Sequence, residues 1–103
     1  MGRKRPERTE RRARERDLRR LVRDRERLAA LLPGASADRP IEVDSPAVIE
    51  VRALAMRCPQ CDGGYTLDDH RSAAAGVRVL SLTCRICHVS RQVWFRLGSS
   101  APS

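Results

Sequence analysis

Cys58-Pro59-Gln60-Cys61 and Cys84-Arg85-Ile86-Cys87, with 22 residues between them, decide the reading of this chain. Two thiolates separated by two residues fit on one tight turn and supply two corners of a tetrahedron. A second pair, brought back by a hairpin, supplies the other two. A closed shell of four sulfurs suits zinc in a structural role. The expectation is therefore one structural zinc ion held by Cys58, Cys61, Cys84 and Cys87. Pro59 fixes φ within the first turn, and Gly63 and Gly64 are expected to take the positive φ that lets backbone N–H groups point at the sulfurs.

The segments around the two turns have the rhythm of a small antiparallel sheet. Ala47 to Met56 is rich in Val, Ile, Leu and Ala and leads into the first turn; Tyr65 to Leu67 leaves it. Val77 to Thr83 leads into the second, and Arg91 to Leu97 leaves it with Val93, Phe95 and Leu97 alternating against Gln92, Trp94 and Arg96. Asp68 to Gly76 reads as the tip of the long connection. The only aromatic residues, Tyr65, Trp94 and Phe95, lie in this half, so the core is small and a metal is expected to supply much of its stability.

The Cys-Pro-Gln-Cys-Asp-Gly-Gly stretch and the Cys-Arg-Ile-Cys turn resemble the zinc-ribbon superfamily of transcription factors, RNA polymerase subunits and ribosomal proteins, over about residues 48–97. The resemblance implies a ribbon fold and a bound zinc but no particular function. Arg71-Ser72-Ala73 together with Trp94 is similar to the ribbon of transcript-cleavage factors. In that family an acidic pair follows the tripeptide and helps to hold a catalytic metal; here Ala74 and Ala75 stand in those places, and Asp68 and Asp69 precede the arginine. The cleavage activity is therefore not carried over.

Other chemistries of the cysteines are weaker. A thioredoxin-like site needs one reactive CxxC in an α/β setting, and rubredoxin-like iron usually comes with more aromatic residues. A zinc-linked thiol switch is the remaining alternative. His88, beside Cys87, is read as a surface or supporting residue, because four thiolates already complete the tetrahedron. His70 with Asp68 and Asp69 is read as a polar loop tip, since no second cluster of acids or histidines accompanies it. No phosphate-binding glycine loop or serine-nucleophile motif is present, and no enzyme is expected.

Upstream, the chain changes character. The net charge is +8, and residues 1–32 carry 13 Lys and Arg against 6 Asp and Glu, so almost the whole excess is N-terminal. A helix is expected from Thr9 to Leu32, stopped by Pro33-Gly34, after a frayed basic start. At ~100° per residue, Leu18, Leu21, Val22, Leu28, Ala29 and Leu32 share one face, while Arg12, Arg16, Arg19, Arg20, Arg23 and Arg27 share the opposite one. Acids mostly flank these stripes, and Glu10–Arg14 and Glu15–Arg19 are spaced to pair. The bland reading is a solvated outer face above a packing face. The functional reading is an arginine row for phosphates and a leucine face for the ribbon or a partner helix.

The resulting architecture is a small α+β chain: a basic amphipathic helical arm over residues 1–34, a proline-rich linker over 35–46, an antiparallel zinc ribbon over 47–98 and a disordered tail over 99–103. Ile41 and Val43 are placed to add a short edge strand. The leading functional expectation is a binding module contacting nucleic acid or a nucleoprotein assembly through the arginine helix. The alternative is a protein-interaction adaptor using the leucine face and the ribbon. A membrane-surface helix ranks third, because the apolar face lacks Trp or Phe anchors. Four cysteines could also form two disulfides, but that pattern belongs to secreted chains; with no apolar stretch behind Met1, the cysteine usage favours a reducing, cytoplasmic setting.

Overall fold

The computed structural model describes residues 4–98, so Met1 to Arg3 of the basic start and the expected tail at 99–103 lie outside the described residues. The first helix, α1, runs Lys4–Ala29. It begins earlier than the sequence suggests because Pro6 falls in its first turn, where a missing N–H costs no intrahelical bond. It ends three residues before Leu32. The chain tightens there, with Leu31 and Leu32 N–H donating to the carbonyls of Leu28 and Ala29 at 3.1 Å each. Pro33 disfavours helical backbone at Leu32. Gly34 then takes φ of +88°, and a Cβ there would lie 2.8 Å from Ile41 Cδ1.

Ile41–Val43 form β1 inside the proline-rich segment, and Val43 is buried. A 3-10 turn over Pro46–Val48 leads into α2, Ile49–Leu54. This corrects the strand expected at Ala47–Met56. The letters alternate apolar and polar, but the burial does not: Ile49 and Ala53, four apart, are buried, while Glu50, Val51 and Arg52 are exposed. Ser45-Pro46 starts the turn, the Ser45 Oγ accepting from the Ala47 N–H at 3.2 Å.

Three longer strands follow: β2 (Tyr65–Ala74), β3 (Val77–Cys84) and β4 (Ser90–Leu97). The sheet order is β1-β4-β3-β2. β2, β3 and β4 are antiparallel, and β1 joins β4 in parallel, Ile41 opposite Phe95, so the sheet is mixed and not purely antiparallel. Most of Asp68–Gly76 proves to be strand rather than loop tip, because Asp69 to Ala74 pair with Ser81 to Val77 of β3 across two bulges. The core comprises Val43, Ile49, Ala53, Tyr65, Leu80, Leu82, Val93 and Phe95, and it is continuous with Cys58 and Cys84. The whole is a small α+β fold of 78 × 22 × 18 Å. About half of that length is α1, whose 26 residues span about 39 Å.

Candidate metal centre and arginine helix

The two CxxC turns have the same backbone. Cys58 N–H donates to Gly63 O at 2.9 Å and Asp62 N–H to Cys58 O at 2.7 Å; Cys84 N–H donates to Val89 O at 3.0 Å and His88 N–H to Cys84 O at 3.1 Å. The residue after each second cysteine, Asp62 and His88, has φ of 64°. The left-handed residue is therefore not Gly63 or Gly64, as the sequence suggests, but a non-glycine of a type that tolerates it. Gly63 is required for another reason. A Cβ there would stand 2.7 Å from Ile86 Cγ1, 3.0 Å from Cys84 Sγ and 3.1 Å from Cys61 Sγ. The Gly63 carbonyl accepts from the Cys58 N–H, which keeps the chain this close to the sulfurs.

The turns meet face to face. Cys58 Sγ lies 3.7 Å from Cys87 Sγ and Cys61 Sγ lies 3.4 Å from Cys84 Sγ. All four sulfurs fall within 4.8 Å of one another. Thiolates on a tetrahedral ion with metal–sulfur bonds of about 2.3 Å stand about 3.8 Å apart, so the cluster is shaped to bind one ion. Cys58 and Cys84 are buried at the core; Cys61 and Cys87 form the exposed rim.

The backbone favours ionised sulfur. Burial opposes ionisation of Cys84, but the N–H groups of Cys87 and Ile86 overcome it and draw the thiol down to about 6. Cys58 is likewise lowered, against burial, by the N–H groups of Gln60 and Cys61. Burial and the shared hydrogen bond with Cys84 push Cys61 up to about 12, so the metal-free cluster keeps protons that a cation must displace. Burial together with the neighbouring Cys58 sulfur raises the Tyr65 hydroxyl to about 12.

Three residues without a metal-ligand signature in the sequence complete the site. Arg91, with only 15% of its side chain exposed, donates through Nη1 and Nη2 to the Glu26 carboxylate of α1 at 3.0 and 2.5 Å. Gln60, inside the first CxxC turn, donates from Nε2 to Glu26 Oε2 at 2.6 Å and to Val22 O at 2.8 Å. These hydrogen bonds from Arg91 and Gln60 hold the Glu26 carboxyl below the usual carboxylate range. Nothing local announces an ion pair between residues 26 and 91. The available hint is Gln60, a long amide in a turn that needs none for the metal.

His88 is exposed and stands outside the sulfur cluster. His70 is not a loop-tip residue: its Nδ1 lies 2.7 Å from Glu50 Oε2 and ties β2 to α2. Asp68 accepts from the Thr83 hydroxyl, and Asp69 pairs with Arg71 at 3.7 Å.

On α1, Arg12, Arg16, Arg19, Arg20, Arg23 and Arg27 are all exposed. The first five, with Glu15, line one shallow open cleft along the helix. Arg19 pairs with Glu15 at 3.9 Å and Arg27 with Asp24 at 3.0 Å; the spacing of Glu10 and Arg14 yields no pair. Arg12, Arg16, Arg20 and Arg23 have no acidic partner among the described residues. The leucine face does not pack on the ribbon. Leu18 and Leu28 are 62% and 66% exposed, and Leu21, Val22 and Leu32 are exposed as well. Ala29 is the buried residue among the described side chains of α1. No helix of the described residues is long and apolar enough to cross a membrane.

Comparison of the chain with protein-family models, with characterised proteins and with solved structures gives no match, so the four-cysteine cluster and the arginine helix stand on their own geometry.

Proposed function

We propose that this chain is a non-enzymatic zinc-binding module whose arginine helix contacts the phosphate backbone of nucleic acid, either free or within a nucleoprotein assembly. Zinc is the favoured ion because a closed four-thiolate shell suits its structural role, and such a shell leaves no open position for substrate. The site then cross-links two turns and supplies stability that the small core lacks.

The observation that carries the nucleic-acid reading is the row of Arg12, Arg16, Arg20 and Arg23, exposed and without acidic partners among the described residues. A guanidinium offers phosphate two parallel N–H donors, and a helical row of them follows a backbone without reading bases. Purified protein should carry one zinc per chain by elemental analysis, and it should bind labelled duplex or single strand at low salt and release it at high salt. Protein that carries zinc but retards neither nucleic acid at low salt would end the reading.

A second reading has its own observation. The exposed Leu18, Leu21, Val22, Leu28 and Leu32 form an apolar face suited to a partner helix, which makes the chain an adaptor. Under that reading Leu21→Asp abolishes association with a protein partner, whereas arginine-row variants keep it.

A further inference from the structure

Gln60 belongs to the metal site and to the helix at once. It stands inside the first CxxC turn, between Cys58 and Cys61, whose sulfurs belong to the four-sulfur cluster. Its side chain donates to Val22 O and Glu26 Oε2, and its carbonyl accepts from Arg25 Nη1 at 2.7 Å. Arg91, on β4, grips the same Glu26 carboxylate with two N–H groups. Gln60, Glu26 and Arg91 therefore form a bridge that joins the first CxxC turn, α1 and β4. Apolar contact adds little to this joint, since Ala29 is the one buried residue among the described side chains of α1.

We propose that this bridge is a mooring through which occupancy of the four-cysteine site fixes the arginine helix to the ribbon. With an ion bound, the first CxxC turn is clamped to the second, and the Gln60 backbone is held where its amide meets Val22 and Glu26. Without the ion, the turn loses its cross-link and Gln60 its fixed placement. What remains is an exposed rod held by one ion pair and one alanine. Coupling of this kind is reciprocal: if metal binding favours the docked helix, docking raises metal affinity by the same factor. Glu26, which is no ligand and lies 32 residues before Cys58, thereby becomes a determinant of metal affinity. The proposal rests on the metal-binding reading of the cysteines and is independent of what the arginines contact.

The test uses the full chain with Glu26→Ala, Gln60→Ala and a control, Glu15→Ala, whose residue pairs with Arg19 on the free part of the same helix. Zinc affinity is measured by chelator competition, and amide hydrogen exchange is followed in α1 and β3. Glu26→Ala and Gln60→Ala should each weaken zinc binding by about tenfold, the low end for groups that support metal ligands. They should also speed exchange at residues 22–29 while β3 stays protected. Chelation of the wild-type chain should release the same helix amides, and Glu15→Ala should change neither measurement. Glu26→Gln keeps the shape and loses the charge, and should fall between wild type and Glu26→Ala. Wild-type zinc affinity in both mooring variants overturns the proposal. So does weakened zinc binding with unaltered helix exchange, which would reduce Glu26 to a local electrostatic effect. Failure of the wild-type chain to bind zinc overturns the metal reading itself and the mooring with it.

Discussion

The arginine row makes a quantitative prediction about salt. Arg19 and Arg27 already face Glu15 and Asp24, which leaves Arg12, Arg16, Arg20 and Arg23 to neutralise phosphates. These four lie along about 16 Å of helix axis, room for about five phosphates of one duplex strand. Four contacts give log K against log salt a slope of about −3.6 on duplex and about −2.8 on a single strand. Between about 50 and 200 mM salt, duplex affinity should fall roughly 150-fold. The triple variant Arg16→Ala, Arg20→Ala, Arg23→Ala leaves one contact, a slope of about −0.9 and a fall of only about 3.5-fold over the same range. Fluorescence anisotropy on a labelled duplex across a salt series reads both slopes. All three residues are exposed, so the variant should melt at the wild-type temperature, which separates lost contact from lost fold. A triple variant with the wild-type slope refutes the assignment of contacts to this row.

Gly63→Ala should weaken zinc binding by at least about tenfold in chelator competition, because the added Cβ enters the space of Cys61 Sγ, Cys84 Sγ and Ile86. Phe95→Ala should cost about 3–5 kcal/mol in denaturant unfolding, as the removed ring fills a fully buried position. Leu21→Asp, on the exposed face, should stay within about 0.5 kcal/mol of wild type in the same assay. The Glu26 carboxyl is held below its ordinary value near 4.5, so its contribution is present above that pH and disappears as pH falls through the lowered value. Glu26→Gln should therefore remove part of the acid limb of helix docking, read by hydrogen exchange at constant zinc occupancy, and leave docking independent of pH near neutrality.

The four-cysteine cluster was legible because a CxxC turn is a local pattern, and two such turns brought together gather four sulfurs whatever lies between them. The arginine and leucine stripes of α1 were legible for a similar reason, since helical periodicity is written in consecutive residues. The segment Ala47–Met56 misled because its richness in Val, Ile, Leu and Ala suits a strand, while Ile49 and Ala53 bury with helical spacing; Ser45-Pro46 was the signal that outranks the composition. The role of Gly63 was misread as conformational freedom when the constraint is the sulfurs packed against its α-carbon. The contact of Glu26 with Arg91 joins residues 65 positions apart and depends on where α1 lands, which no local pattern contains.

Cys84 is the last residue of β3 and stands opposite Tyr65, while the neighbouring Thr83 stands opposite Ser90. One cysteine of the four-sulfur cluster is thus a member of the sheet ladder rather than of a loop beside it. A strand displaced by one residue turns every side chain to the other face, and a β3 so displaced would carry the Cys84 sulfur away from the other three. Such a chain could pair its backbone yet not assemble the four-sulfur shell. If the cluster takes up an ion as proposed, metal capture would act as a proofreading step on strand alignment: the ion would reward the one pairing that brings all four thiolates together, and misaligned chains would forgo that stabilisation.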